Sequence, residues 1–314
     1  MCGIFGIAST KSTRNKLYQG LMKLEYRGYD SSGISGTHIS SKLSTIKATG
    51  PIKNLRTKLT SLTRITTGIA HTRWATHGEA ILKNTHPHLS ENISIVHNGI
   101  IENYIELKSL LKKKGYLFKS DTDSEVISHL IHMNYKKTKN MESSIISTTK
   151  MLNGSYAIGC INTNYANTIF AACKGSPLII GKGVNENFIA SDITPILSDT
   201  KHYIPLDDNE FAKITPSKIS IFNANKKTIS KKVKTSKMNS EQSSLSGHKH
   251  FMHKEIYEQK SILKEMTSRY VGTNKILPNI FGPGTDKILE NIDHIHFVAC
   301  GTIYHASLVA KDWI

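Results

Sequence analysis

The sequence predicts an α+β protein built on antiparallel sheets, and three observations lead there. Short apolar runs of strand length recur between Gly, Asn and Asp turns at 156–161, 168–172, 178–181 and 187–190, a pattern whose natural reading is antiparallel pairing. Similar runs stand at 4–7, 65–70, 93–96, 210–214 and 218–222. Other stretches carry the 3.6-residue apolar period of amphipathic helices. At 314 residues the chain has room for one large domain or two ordinary ones.

Composition narrows the class. A hydrophobic share of 38% with 21% charged residues fits a mostly globular chain. No run approaches the roughly 18 apolar residues of a membrane span, and the N-terminus lacks the basic and apolar regions of a signal peptide. The four Cys residues (Cys2, Cys160, Cys173, Cys300) are widely spaced, which argues against a disulfide framework or a zinc knuckle. A reducing cytoplasm is the expected compartment. The formal charge of +17 admits a nucleic-acid binder or a solvated Lys-rich surface. Lys is spread along the chain with short runs at 112–114, 136–137 and 226–227. With no aromatic interleaving or zinc-finger spacing, neither a nucleic acid nor a membrane is expected as partner.

In chain order, Ile4–Ile7 reads as a strand. Lys16–Tyr26 reads as a helix with Leu17, Leu21 and Leu24 on one face. Arg27–Gly33 reads as a turn, followed by an alternating segment from Ile34. The strand 65–70 leads into His71-Thr72-Arg73-Trp74-Ala75-Thr76-His77-Gly78, a polar block between apolar runs, expected on a loop lining a cleft. The strand 93–96 ends in His97-Asn98-Gly99, and a helix is expected to continue from Ile100 to Leu111. Such a strand-to-helix turn presents N–H groups able to stabilise an oxyanion. Thr122 or Asp123 is the expected cap of the next helix, with acidic groups at its positive end. His86-Pro87-His88 is a weak metal candidate without supporting Cys or carboxylate spacing. Gly175-Ser176-Pro177 and Ala190-Ser191-Asp192 are the turns expected to face a cleft. Residues 223–247 have the composition of an exposed arm. A helix is expected over 250–270 with Met252, Ile256, Leu263, Met266 and Tyr270 on one docking face. The segment 292–299 has the form of a buried parallel strand, followed by a helix from Ile303.

The N-terminus holds the most distinctive chemistry. Cys directly after Met1 becomes, once Met1 is removed, a thiol and a free α-amine on one residue. An α-amine titrates near 7.7–8.0, so it can serve as the base for its own thiol. The alternative is a frayed terminal Cys. The apolar strand behind Cys2 argues against fraying, because it ties the terminus into a sheet.

Taken together, Met1-Cys2-Gly3-Ile4-Phe5-Gly6, Glu25-Tyr26-Arg27-Gly28-Tyr29-Asp30-Ser31, the 71–78 block, His97-Asn98-Gly99-Ile100-Ile101-Glu102-Asn103 and Thr122-Asp123-Ser124-Glu125 resemble the glutaminase domain of class II glutamine amidotransferases. Gly175-Ser176-Pro177-Leu178, His253-Lys254-Glu255-Ile256-Tyr257-Glu258-Gln259 and Ala299-Cys300-Gly301-Thr302 narrow the resemblance to the glutamine–fructose-6-phosphate aminotransferase family. The resemblance implies an N-terminal-nucleophile hydrolase fold, a four-layer α/β/β/α sandwich of antiparallel sheets. It implies a glutaminase domain at 2–222, a linker and interdomain helix at 223–274, and the truncated start of a sugar-isomerase α/β module at 275–314. It also assigns roles. Cys2 is the nucleophile on the glutamine amide, and Asn98 with the Gly99 N–H forms the oxyanion hole. Arg73 holds the substrate carboxylate and Asp123 its ammonium, which displaces the cap reading. Trp74, Thr76 and His77 close over glutamine, Arg27 supports the site, and Thr302 is a remnant of the sugar-phosphate site. Ile303 stands where the family usually has Ser. No cofactor and no metal are implied. Glutamine is the expected partner, and fructose 6-phosphate only if the missing isomerase half is supplied. The full-length family is homo-oligomeric, and the state of this chain stays open. Two rival readings are a non-catalytic remnant that keeps the fold and, less favoured, a basic nucleic-acid binder.

Overall fold

The computed structural model describes residues 2–38, 42–75, 77–238, 247–272, 277, 282, 284–299 and 301–313. Thr76 and Cys300 lie outside the described residues. The chain divides into two compact units, 1–244 and 245–314.

The first unit is two antiparallel sheets between helical layers. The eight-stranded sheet runs, edge to edge, β15 (Lys234–Thr235), β11 (His202–Pro205), β9 (Ile179–Lys182), β10 (Glu186–Ala190), β1 (Gly3–Ser9), β4 (Ile65–Arg73), β2 (Ser31–His38) and β3 (Leu43–Thr49). The seven-stranded sheet runs β14 (Thr228–Ile229), β13 (Ile219–Phe222), β12 (Glu210–Ile214), β8 (Ile169–Lys174), β7 (Gly154–Asn162), β6 (Ile93–Ile101) and β5 (His88–Ser90). Three apolar layers hold them. Between the sheets, Ile4, Ile69 and Ile189 of one pack with Val96, Ala157 and Ala171 of the other. Outside the first sheet, Leu17 and Leu21 of α1 (Arg14–Met22) cover Phe5, Ile7 and Phe188. Outside the second, α3 (Glu125–Thr138) and α4 (Met141–Thr149) cover Ile95, Ile158 and Phe170. Because both faces of each sheet are covered, the strands read as continuous apolar runs rather than alternating ones.

Several elements depart from the sequence reading. The polar block begins inside a strand, since β4 extends through His71, Thr72 and Arg73, all buried. Ser31 to Gly33 belong to β2 and not to a turn. The strand at 93–96 runs on to Ile101, and the turn into α2 (Tyr104–Lys113) falls at 102–103. Asn-Gly does not break β6 because the strand pairs residue for residue with β7, from Ile93↔Asn162 to Ile101↔Gly154. Gly99 accommodates this with φ +131°, where a Cβ would collide with the Ser155 carbonyl. Asp123 does not cap α3; the cap position is Ser124, without a side-chain bond. The arm at 223–247 is partly structured: β14 and β15 extend the edges of the two sheets. Lys231 adds ion pairs to Asp207 (2.8 Å) and Glu210 (2.7 Å). Edge strands are held by backbone pairing, so a polar composition does not preclude them.

The second unit contains α5 (Phe251–Tyr270), α6 (Thr285–Leu289) and α7 (Gly301–Trp313). On α5, Met252, Ile256, Leu263 and Met266 are exposed, so the expected docking face has no cover among the described residues. Residues 292–299 form no strand, consistent with their having no partner ladder among the described residues. Val298 is 94% exposed, and Ile295, Phe297 and Trp313 are exposed with it.

Gly20 offers a test of the outer layer. It sits on the buried face of α1, where a Cβ would collide with the edge of the Phe5 ring at Cδ1 and Cε1, and Phe5 is itself buried and stacked on Phe188. Ala favours a helix by about 1 kcal/mol over Gly, but overpacking costs about 1–3 kcal/mol. Gly20→Ala is therefore expected to lower the urea midpoint of unfolding. A raised midpoint would show that propensity outweighs packing here.

Candidate active site

The position of Cys2 is set by β1. This strand lies in the interior of its sheet, paired on one side with β10 (Phe5↔Ala190) and on the other with β4 (Gly3↔Thr72). The Cys2 carbonyl accepts hydrogen bonds from Arg27 Nε (3.2 Å) and Asn98 Nδ2 (3.0 Å). Arg27 in turn pairs with Asp192 at 3.3 Å, whose Oδ1 accepts from the backbone N–H and the hydroxyl of Thr194 at 2.8 and 2.6 Å. The Ala190-Ser191-Asp192 turn thus faces the site as expected, and Ser191 Oγ accepts from the Ile4 N–H at 3.0 Å. The Gly175 turn is tied instead to Asp208, its N–H donating at 2.7 Å.

The thiol faces the start of the polar block. Cys2 Sγ accepts from the Trp74 N–H at 3.3 Å and lies 3.5 Å from the Trp74 carbonyl oxygen. Burial pushes the thiol pKa up, and the Trp74 N–H only partly offsets it. A thiol in this state is protonated near neutral pH and needs a base to react. Arg73, at the end of β4, is buried and holds the segment after it. Its guanidinium donates to the carbonyls of His77 (2.6 Å), Gly78 (2.9 Å) and Glu79 (3.0 Å). Trp74 is 46% exposed, with its ring edge-on to Tyr29 at 5.3 Å. His77 packs edge-on to Tyr104 at 6.0 Å. The Asp30 carboxylate accepts from the Ala75 N–H, anchoring the other end of the loop.

Asp123 is buried where β6 ends, its Oδ2 accepting from the Ile101 N–H at 2.8 Å. Ser124 Oγ lies 3.3 Å from its other oxygen and 2.8 Å from His97 Nδ1. Glu125 fixes the loop that carries Asp123, accepting from the N–H groups of Lys119 and Ser120 and from the Ser120 hydroxyl at 2.7–3.1 Å. Gly99 follows Asn98 on β6 and is exposed. Thr302 is exposed on α7 in the second unit.

Sequence reasoning missed the polar layer beneath these groups. His71 Nε2 lies 3.0 Å from both the His97 carbonyl and Asn98 Oδ1. The His86 ring stacks on His71 at 4.0 Å, and His88 meets His86 edge-on at 4.5 Å. Burial drives the pKa of all these histidines down. The available signal was His71, His88 and His97 on strands, positions that point inward when both sheet faces are covered, with His86 in the bend just before β5. His86 and His88 serve this packed layer. No group of His, Cys, Asp and Glu among the described residues has the arrangement of a metal site.

Comparison with known proteins agrees with the fold. Residues 71–198 match the family model of the glutamine amidotransferase domain. The whole chain is 42% identical to a glutamine–fructose-6-phosphate aminotransferase of Buchnera aphidicola (subspecies from Acyrthosiphon pisum) over 317 residues, covering 52% of that protein. It is 39% identical to the enzymes of the same name from Shewanella oneidensis and Haemophilus influenzae, again over 100% of this chain and 52% of theirs. Among solved structures, the glutamine phosphoribosylpyrophosphate amidotransferase of Bacillus subtilis matches with a TM-score of 0.62 at 26% identity, over 72% of this chain and 50% of that one. A glutamine aminotransferase class-II domain protein of Silicibacter pomeroyi shares the fold, with a TM-score of 0.52 at 13% identity over 71% of this chain and 99% of that one. Two antiparallel sheets between helices, in a chain with these relatives, are the N-terminal-nucleophile hydrolase sandwich, and residues 71–198 carry a glutamine amidotransferase domain. Over its full length it is a homologue of the glutamine–fructose-6-phosphate aminotransferases, and it spans about half the length of these curated relatives. No helix among the described residues is long and apolar enough to cross a membrane.

The buried Glu125 makes the site acid-sensitive. Burial alone would raise its pKa, but the His129 ring and the Lys119 and Ser120 donors outweigh it and bring the carboxyl down to about 2. An unfolded Glu titrates near 4.3, so this stabilisation is fully present above about pH 4.5. It is lost as pH falls towards 2, by about 3 kcal/mol in all. Glu125→Gln is expected to flatten the dependence of unfolding free energy on pH between 5 and 3, measured by urea titration. An unchanged slope would assign the acid sensitivity to other groups.

Proposed function

We propose that the chain hydrolyses glutamine to glutamate and ammonia through a thioester on Cys2, the ammonia-releasing half of a glutamine–fructose-6-phosphate aminotransferase. The observation that carries this reading is the anchoring of Cys2. Its strand lies inside a sheet, its carbonyl is held by Arg27 and Asn98, and its thiol lies against Trp74. A nucleophile is useful only when its position is held to a fraction of an ångström, and here the backbone supplies that hold.

The chemistry starts from Cys2 with Met1 removed. The α-amine takes the thiol proton, directly or through a water, and Sγ attacks the side-chain amide carbon of glutamine. The carbonyl oxygen becomes an oxyanion, met by the second N–H of the Asn98 amide and by the Gly99 N–H. Collapse breaks the C–N bond, and the amine returns its proton to the departing ammonia. Water then cleaves the thioester to glutamate and the free thiol. Arg73 is suited to the substrate α-carboxylate by its bidentate fork, and Asp123 to the ammonium. Trp74, Thr76 and His77 belong to the segment that closes over the bound amino acid. In this reading 223–274 is the linker with its helix, and 275–314 begins the module for the sugar. Fructose 6-phosphate, named in the relatives, is then the acceptor of the ammonia once the rest of their length is present.

Ammonia and glutamate release from glutamine by residues 1–314, with and without fructose 6-phosphate, tests the reading. Glutamate is expected in both cases, and Cys2→Ala is expected to lower turnover by at least about 10⁴-fold. A preparation whose intact mass retains Met1 should be inactive, because its Cys2 nitrogen is an amide. Wild-type turnover equal to that of Cys2→Ala would overturn the assignment. Glucosamine 6-phosphate formed by these residues alone would overturn the division into halves.

A further inference from the structure

We infer that His71 is a positioning residue that fixes which way the Asn98 amide faces, so that its N–H groups are turned to Cys2; the inference rests on the glutaminase reading above.

The argument is one of donors and acceptors. His71 Nε2 lies 3.0 Å from the His97 carbonyl oxygen and 3.0 Å from the Asn98 side chain. A carbonyl oxygen only accepts, so Nε2 must carry the ring hydrogen. That hydrogen then requires an acceptor on the Asn98 side, which is Oδ1 and not the NH₂ group. The far side of the amide gives the same answer independently. Asn98 Nδ2 lies 3.0 Å from the Cys2 carbonyl oxygen, again an acceptor only. The reversed amide would set N–H against N–H at His71 and oxygen against oxygen at Cys2. One amide hydrogen is occupied by Cys2, and the other is left for an oxyanion formed at the thiol.

The surroundings keep this arrangement fixed. His71 is fully buried on β4, a strand that also pairs with β1. Its ring stacks on His86 at 4.0 Å with an interplanar angle of 29°. Burial holds the His71 pKa to about 3, so the ring stays neutral at working pH. A neutral ring with hydrogen on Nε2 leaves Nδ1 as a bare acceptor, and Nδ1 has no partner among the described residues. Nothing there competes for the other tautomer. The amide orientation is thus set from one side by the Cys2 carbonyl and from the other by His71, a residue that need not touch the substrate.

The test uses the full chain with Met1 removed. His71→Met fills the space without a donor, and His71→Gln restores an N–H near the Nε2 position. Loss of an oxyanion donor costs about 10²–10³-fold in kcat. His71→Met is expected to lose about 10- to 100-fold in kcat with KM for glutamine within about 3-fold, and His71→Gln to recover most of that loss. In an Asn98→Ala background His71→Met should cost less than about 2-fold more, since the amide it orients is gone. Full turnover in His71→Met, or an equal loss with Asn98 already removed, overturns the inference. An activity-free readout separates it from the parent reading. In ¹⁵N NMR at pH 7, the ring signal missing from His71→Gln should show a neutral imidazole protonated at Nε2. A ring protonated at Nδ1 overturns the inference whether or not glutamine is cleaved. A wild-type chain that releases no ammonia overturns the glutaminase reading, and with it any effect of His71 on turnover.

Discussion

Everything at the candidate site depends on the pairing of β1 inside its sheet. A chain terminus ordinarily frays, yet this one is bonded along both edges, to β4 and β10. Its faces are covered as well: Ile4 joins the layer between the sheets, and Phe5 and Ile7 the layer under α1. The residue before the strand inherits that rigidity. Arg27 and Asn98 then need only hold one carbonyl to fix Cys2. The same pairing aligns Gly3 with Thr72, so Arg73 and Trp74 emerge beside the thiol as the continuation of β4. Two features that look separate in sequence, the terminal Cys and the block at 71–78, are neighbours because of one antiparallel ladder.

The charge of the chain takes its place around this frame. One set of ion pairs fastens a helix to the sheet beneath it, Lys16 of α1 to Glu186 of β10 and to Asp199. Half-exposed pairs of this kind are each worth about 1 kcal/mol or less, so the core layers and not the lysines hold the sandwich. The buried histidines make the opposite choice. They stay neutral, stack on one another, and place hydrogen bonds where a charged group would be costly to bury.

Strand identity was legible because antiparallel strands joined by short turns show in local sequence. The β8, β12 and β10 segments fall within a residue or two of their apolar runs. What local sequence missed was set by pairing at a distance. Asn98-Gly99 carries a turn signal, but the β7 partner overrides it. The lysine-rich stretch after Asn223 lacks core residues, yet gains order from the sheet edges it extends. The 292–299 run has the composition of a strand, and no strand among the described residues pairs with it. For the site, chemical type was readable: the terminal Cys, the Arg, the Asn-Gly and the Asp all stand in short blocks. The supporting contacts were not, because the link from His71 to Asn98 crosses 27 positions and that from Arg27 to Asp192 crosses 165.

The position of β1 also has a consequence for the order of assembly. It is made well before one of its two ladder partners, β10, with which it pairs Gly6 to Ile189. Until that segment has been made, β1 can only be an edge strand beside β4. Asp192, the anchor of Arg27, comes later still. Until then the growing chain carries the Cys2 thiol without the wall that holds it in place. The hold on Cys2 is complete only when the segment around Asp192 has been translated and folded, which couples the order of β1 to the completion of the sandwich.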